Sequence, residues 1–402
     1  MSQVLVIDMG SSVVSAAVAQ LTEQGRIAVK GLGRARSGGL KQGVVINIDT
    51  TVEAIRRAVT EANQMAGTKL SHALIAVGGT HLLGQDVVGQ VDLNHREVTD
   101  QMLAQAMEHV QRQVEVPDRD VLSVIPQQFT IDAQTGIRAP QGMSGRHLDV
   151  HVHVITAATH ALLNLKKCLK LAGIEGDVIV PSALAVSQLV LSDERDLGVC
   201  IADIGFGTTD LMVVADGAPV WTQVLPMAGE LLTHDLAVAL KTPLSQAETL
   251  KCRHGFAHAS FAPAEARVDV QKLADRPAES ISLMQLSAYL QPRVEEIVEI
   301  IGERLRSSGR FQEAATGVVL TGGTANLPGI AAVAESILQC PVRVLKGVTQ
   351  DGLEGLLQDP SNAVLAGLLA YGRDQQIQPK PRWIGAQGSA VKRVRDWIKG
   401  NF

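Results

Sequence analysis

Two short stretches far apart in the 402-residue chain carry the same arrangement of reactive groups. At residues 6–12, Val-Ile-Asp-Met-Gly-Ser-Ser, an apolar run ends on Asp8 and turns through Gly10, Ser11 and Ser12. At 201–210, Ile-Ala-Asp-Ile-Gly-Phe-Gly-Thr-Thr-Asp, a second run ends on Asp203 and turns through Gly205, Phe206, Gly207, Thr208 and Thr209 to Asp210. A turn of glycines and hydroxyl residues presents backbone N–H groups in a concave nest that suits a phosphate oxygen. Glycine lets the backbone come close. A carboxylate closing the preceding strand can hold Mg²⁺ through water, because that ion keeps several waters and takes few carboxylates. Asp8 and Asp203 are therefore the candidate metal carboxylates. Asp203 and Asp210 are the candidates for orienting an attacking water. Two such turns, one per half, would grip a polyphosphate from both sides.

A third signal is Gly322-Gly323-Thr324, which follows the apolar run at 318–321. Glycines there would let the backbone pass flat against a base or ribose, although a plain strand-to-helix turn reads the same way. Other chemistry-bearing residues lead nowhere. His151 and His153 alternate on one strand with no third metal ligand in view, so they read as a polar sheet face. Cys252-Arg253-His254 is too tight in sequence for a Cys–His catalytic pair. The four cysteines, 168, 200, 252 and 340, are scattered, which fits reduced thiols in a cytosolic protein.

The elements that must position these groups follow from hydrophobic period. Residues 4–8 and 13–19 read as buried strands joined by a tight turn, and 197–217 repeats that pattern. The repeat predicts two similar lobes. Residues 72–84 open like the stretch around 317–324. Between them, about 80–158 reads as a small α/β insert: a polar strand, a helix over 99–113 capped at Val98-Thr99-Asp100, then strands in "VLSVIPQQFTID" and "HLDVHVHVIT". A helix ends at Gly173, a strand spans "DVIV" and a helix spans "PSALAVSQLVL". In the second half, helices are expected over 231–240 and 244–253, irregular chain over 254–280, and a long amphipathic helix over 284–307 interrupted near Pro292. The globular part is expected to close at Gly372.

Composition limits the function. With 46% hydrophobic residues and only 3% aromatics, aliphatic side chains must fill the core of an α/β protein. A net charge of −5 argues against general nucleic-acid binding. The N-terminus lacks the basic and apolar regions of a signal peptide. No window approaches the ~18 apolar residues of a membrane span, so membrane contact would be peripheral.

The motifs at 6–12, 201–210 and 317–330 resemble the two phosphate motifs and the adenosine motif of the actin, sugar-kinase and heat-shock-chaperone ATPase superfamily. The wording of "VIPQQFTID", "SDERDLGVCIADIG", "GELLTHDLAVALKTPLSQAETLKCRHG" and the basic tail resembles the FtsA family of bacterial actin-like cell-division proteins, over nearly the whole chain. The resemblance implies a two-lobed α/β fold of the actin type. Its expected parts are a first lobe over 1–79 and 159–194 and an inserted subdomain over 80–158 used for head-to-tail self-contacts. A second lobe follows over 195–372, then a linker over 373–388 and a membrane-targeting helix over 389–402. It implies ATP with Mg²⁺ in the cleft, with Asp8, Gly10, Ser11, Ser12 and Gly205 to Thr209 around the phosphates. Glu248 and Lys251 would hold ribose and adenine, and Gly322, Gly323 and Thr324 would lie behind the base. The region from about 230 to 305 would bind the C-terminal peptide of the tubulin-like FtsZ, with Arg293 and Glu296 as contacts. Other division proteins would be partners, and the place of action would be the cytoplasmic face of the bacterial inner membrane at the division septum. Phe206 departs from the small residue usual in that turn, and Ser182 stands where the chaperone ATPases have Glu; both imply slow hydrolysis.

The tail is the feature that separates the candidate functions. Val391, Val394, Trp397, Ile398 and Phe402 recur at helical spacing, flanked by Lys392, Arg393, Arg395 and Lys399. This is the pattern of a helix lying in the plane of an anionic membrane. A final helix docked on the globular core is the plainer alternative. Each positive charge contributes roughly 1 kcal/mol at such a surface, so one tail binds weakly and many on a polymer bind well. A related pilus-assembly actin-like ATPase would lack this tail, and a sugar kinase would need a sugar-binding set that is not evident.

Overall fold

Val4 to Ile7 and Val14 to Ala19 are buried at almost every position. Such strands cannot belong to a sheet with a wet face; they need cover on both sides. The computed structural model describes residues 2–22, 25–114, 116–274, 277–347 and 352–377. Strands β1 (Ser2–Met9), β2 (Val13–Leu21) and β3 (Ile27–Arg36) form an antiparallel meander. A small hairpin, β4 (Leu40–Lys41) and β5 (Val44–Val45), leads into helix α1 (Ile48–Ala66), which returns the chain to β6 (His72–Val77), parallel to β1. Helix α1 starts on Asn47, whose side chain accepts from the Thr50 amide, and stops at left-handed Gly67.

The insert follows: β7 (Leu82–Asp92), α2 (Asp100–Val114), β8 (Arg119–Ile131), β9 (Gln134–Ile137) and β10 (His147–Ala158). Its antiparallel sheet runs β7-β10-β8-β9 and has its own core around Leu93, Leu103, Val110, Phe129 and Leu148. The chain then returns to the first lobe with α3 (Thr159–Ala172), β11 (Glu175–Pro181), α4 (Ser182–Val186) and α5 (Ser192–Leu197). The first sheet is ordered β11-β6-β1-β2-β3.

The second lobe contains β12 (Val199–Ile204), β13 (Thr209–Ala215), β14 (Ala218–Leu225), α6 (Gly229–Leu240), α7 (Leu244–His254), β15 (Arg267–Val270), β16 (Glu279–Ser282), α8 (Leu283–Ser307), β17 (Val318–Thr321), α9 (Ile330–Leu338) and β18 (Val342–Val344), after which α10 (Ala363–Ile377) packs back on β1, β2 and β6 of the first sheet. The second sheet is ordered β14-β13-β12-β17-β18. This is the topology of the first sheet used again, with β12 in the place of β1 and β17 in the place of β6. The duplication expected from the two turn motifs is therefore present at the level of whole sheets.

Three apolar clusters hold the lobes. Helices α1 and α3 cover one face of the first sheet, burying Ile7, Ile55, Leu162 and Leu169. Leu232, Leu286, Ile301 and Leu338 sit in the core that α6, α8 and α9 build on the second sheet. The third cluster joins Val6 and Ala17 of the first sheet, Ile201 and Met212 of the second, and Leu365, Leu368 and Leu369 of α10.

Four local expectations are corrected. Helix α8 runs unbroken through Pro292; the lost backbone bond is outweighed by the buried apolar face of Leu290, Val294, Ile297 and Ile301. Residues 254–280 are not wholly irregular, because β15 pairs with β16 in an antiparallel hairpin beginning at Arg267↔Ser282. The helix expected over 181–191 shortens to α4 and a 3₁₀ turn at Ser187–Leu189, and α5 follows. Helix α10 carries the chain past Gly372 to Ile377, into the stretch read as linker. The tail residues Val391, Lys392, Arg393, Val394, Arg395, Trp397, Ile398, Lys399 and Phe402 lie outside the described residues. No helix among the described residues is long and apolar enough to cross a membrane.

Candidate functional site: a cleft between the lobes

The repeated β1–β2 and β12–β13 turns point at one another. Both line a cleft of about 540 Å³ between the lobes, a volume in the range of small-molecule sites. Asp8, Gly10, Ser11 and Ser12 line it from the first turn, and Gly205, Phe206, Gly207 and Thr208 from the second. Asp203, Asp210, Glu248, Lys251, Gly322, Gly323 and Thr324 complete the set expected from sequence. Thr209 does not line it: it is fully buried in β13 and its hydroxyl donates to the Met227 carbonyl at 2.6 Å.

Local structure explains the placement. Asp203 and Asp210 are direct register partners across β12 and β13, so one antiparallel pair aims both carboxylates at the same end of the sheet. The second turn is closed by the Gly205 amide donating to Thr208 O at 3.0 Å. Its outward carbonyls on Gly205 and Phe206 accept from the Gly229 and Glu230 amides, which starts α6. Gly322 holds a φ of +86°, and a Cβ there would lie 2.4 Å from an Asp203 carboxylate oxygen. Only glycine fits, which brings the β17 turn against the acid of β12.

Three carboxylates buried together repel each other. Burial, then the Asp210 charge, raises the Asp8 pKa to about 7, against the pull of Arg34. Burial, then Asp210 and Asp8, hold Asp203 well above the usual carboxylate range. Burial raises Asp210 to about 6, with hydrogen bonds from Thr208 at 3.1 Å and the Gly79 amide at 3.3 Å partly offsetting it. Desolvated, mutually repelling oxygen donors of this kind suit a hard divalent cation such as Mg²⁺. Among the described residues no three His, Cys, Asp or Glu side chains converge into a direct cage.

Glu248 and Lys251 form a separate buried unit on α7. The Lys251 ammonium donates to Gly229 O at 2.9 Å, to the Thr233 hydroxyl at 2.8 Å and to Glu248 at 2.7 Å. All three of its hydrogens are used. It also lies 5.3 Å from the centroid of the Phe206 ring, a cation–π contact. Burial would raise the Glu248 pKa, but Lys251 and hydrogen bonds from Thr233 and Cys252 bring it below its usual value. Phe206 therefore lines the cleft while stacking on this unit.

Several cleft residues carry no sequence signal of their own. Arg34 on β3 and Asp359 and Ser361 before α10 line the cleft. Arg34 donates to the Asn362 side chain, and Asp359 accepts from Asn326 at 2.8 Å, joining the loop before α10 to the Gly322 turn. Gly78 was findable, because it follows β6 as Gly322 follows β17. Ser182 also lines the cleft.

Away from the cleft, Arg293 is paired within the chain, to Asp235 at 2.6 Å and to Glu296. His153 is not on an open polar face. It is buried, bonded to Asp86 at 2.7 Å and, across to the second lobe, to Thr222 at 3.0 Å. His151 stays within the insert, bonded to Thr130 at 3.2 Å.

Known proteins show the same organisation. A family model described as "Cell division protein FtsA" matches residues 200–367, and one described as "SHS2 domain inserted in FTSA" matches 79–156. The cell division protein FtsA of Pseudomonas aeruginosa is 36% identical over 405 residues, covering 98% of this chain and 97% of its own. That of Escherichia coli is 34% identical over 409 residues, covering 98% and 97%. Among solved structures, a chain of a PilM–PilN type IV pilus biogenesis complex superposes with a TM-score of 0.66 at 18% identity, covering 92% of this chain and 98% of its own. MreB5 of Spiroplasma citri bound to ADP superposes at 0.56 with 14% identity, covering 94% and 98%. These last two show the fold, which is that of the actin-like ATPases; the SHS2 insert is shown by the family model over 79–156. Matched in sequence from end to end, with the insert and the second lobe each recognised, the chain belongs to the FtsA family of cell division proteins.

Proposed function

We propose that this protein binds ATP with Mg²⁺ in the interlobe cleft, assembles into polymers and tethers FtsZ to the cytoplasmic membrane through its C-terminal tail. The observation that carries the reading is the convergence of two Gly/hydroxyl turns, one from each lobe, on three desolvated carboxylates. When bound, Mg²⁺ would neutralise those carboxylates and the phosphates. The Ser11, Ser12 and Thr208 hydroxyls and the turn amides offer the donors. The Glu248–Lys251 unit and the Gly322 turn bound the nucleoside end. Hydrolysis is slow in this reading, because Ser182 supplies a hydroxyl in the cleft where a carboxylate base is wanted. The nucleotide acts as a conformational ligand.

On α8 of the second lobe, Arg293 would meet an FtsZ tail carboxylate by exchanging one of its two internal partners. The inserted subdomain supplies the head-to-tail contact, and other division proteins join the assembly. The test is co-sedimentation of purified FtsZ with anionic vesicles in the presence of this protein and Mg·ATP. Wild type should bring FtsZ down. Trp397→Glu should leave both in the supernatant, and Asp203→Asn should weaken Mg-dependent ATP binding by tenfold or more. Failure of the wild type to bind ATP, or unchanged vesicle binding by Trp397→Glu, would refute the corresponding half of the reading.

A further inference from the structure

Helix α3 turns an unusual face to solvent. Its buried side, Ala161, Leu162, Leu165, Cys168 and Leu169, packs on the first sheet. Its outer side repeats at i, i+3, i+4, i+7 and i+8: Leu163, Lys166, Lys167, Lys170 and Leu171, all exposed. That spacing places the five on one stripe. Leu163 is 59% exposed and Leu171 47%. Ile46, 64% exposed, follows β5, which packs beside α3. The helix carries no acidic residue, and among the described residues none of the three ammonium groups makes an ion pair. In a chain of net charge −5, this is a local reversal of sign next to bare leucines.

We infer that this stripe is a second membrane contact, which seats the first lobe on an anionic bilayer beside the tail. The inference rests on the tail reading above, but on different residues. Lysine stems reach past the leucines and end in mobile point charges, which suits a fluid layer of lipid phosphates rather than fixed carboxylates. The way the chain leaves the body agrees. Near the end of α10, Gly372 packs against Leu74 of β6 and Val4 of β1. Helix α3 leads into β11, whose Glu175 is in register with His72 at the start of β6. The exit of α10 and the last turn of α3 thus lie near the same end of the first sheet, on its opposite faces. Residues 378–390 can span up to about 43 Å when extended, enough to place the tail and the α3 stripe on the same surface. A tail alone would leave the body free to tumble on its tether. A basic stripe with two leucines would fix which face looks at the bilayer.

The test uses the full chain and vesicles of phosphatidylcholine with or without phosphatidylglycerol. Lys166→Glu/Lys167→Glu/Lys170→Glu should lower affinity for the anionic vesicles by about tenfold or more, and Leu163→Ser/Leu171→Ser by severalfold. Both sets are on the surface and should leave the circular dichroism melt unchanged. In wild type, anionic vesicles should slow acetylation of Lys166, Lys167 and Lys170 by an N-hydroxysuccinimide ester, read by mass spectrometry. Affinity within twofold of wild type for the charge variant, or unslowed acetylation on bound protein, would overturn the inference. The two readings separate cleanly. If Trp397→Glu binds like wild type while the lysine variant does not, the tail reading fails and the stripe stands. If Trp397→Glu releases the protein while the lysine variant binds normally, the stripe fails and the tail stands.

Discussion

His81, just past the Gly78-Gly79 turn, is 8% exposed, and its Nδ1 has no hydrogen-bond partner. Its carbonyl accepts from Arg119 at 2.9 Å. Burial, then the nearby charges of Arg119 and His160, lower its pKa from 6.5 to about 4. The folded value is below the unfolded one, so the unfolded chain takes the proton first. Its contribution is present above pH 6.5 and is lost as pH falls towards 4. Between pH 7 and 5, His81→Gln should therefore lose less stability than wild type, by about 2 kcal/mol in urea denaturation. Equal losses in the two proteins would rule this role out. Nothing in the sequence marks His81, because its shift comes from burial in the fold and, after that, from charges brought in from the insert and from α3. Asp8, Asp203, Gly205 and Gly322 were legible because each closes or follows an apolar strand, so their type and spacing already imply a shared end of a sheet. Arg34 and Asp359 were not, since neither sits at such an end in the linear pattern.

At the scale of elements, the insert is seated on the second lobe by one close approach. A Cβ on Gly84 of β7 would lie 1.8 Å from the Thr222 hydroxyl of β14 and 2.8 Å from the His153 ring. Around that point Asp86 bonds His153 and pairs with Arg310 at 2.8 Å. Gln127 donates to Asp86 at 3.2 Å and to Pro219 O at 3.1 Å. Gly84→Ala should thus cost about 1–3 kcal/mol by overpacking. Thr222→Ala alone should cost about 1 kcal/mol for the lost hydrogen bond. In the double variant the cost should fall below the sum, because the clashing hydroxyl is gone. Simple additivity in chemical denaturation would show that the two residues do not meet. Strands and helices with a clean period were readable along most of the chain. The hairpin at 267–282 was not, because two strands of four residues each carry too little alternation to stand out. The continuity of α8 was misread because local backbone chemistry at Pro292 gives way to burial that only the folded lobe supplies.

At the scale of the molecule, the cluster around α10 contains side chains of both sheets, so the lobes share apolar surface as well as a cleft. Unfolding one lobe would strip cover from the other. Calorimetry of the ligand-free protein should give one main transition, with no separate early melting of either lobe. Mg·ATP at a hundred times its dissociation constant should move that whole transition upward, by about 2.7 kcal/mol of added stability. Two resolved transitions, only one of which responds to nucleotide, would contradict the shared core. The duplication of sheets was legible in the paired turns, but the sharing of α10 was not, since its even apolar coating names no particular face. The same helix bears on how the protein is made. Strands β1, β2 and β6 are complete by Val77, yet α10, which covers one of their faces, begins only at Ala363. The first lobe must therefore wait, half open, while the long stretch between them is made. A chain cut short before α10 would leave Val6, Ala17 and Ala19 without their cover, a substrate for chaperones and proteases and not a smaller working protein.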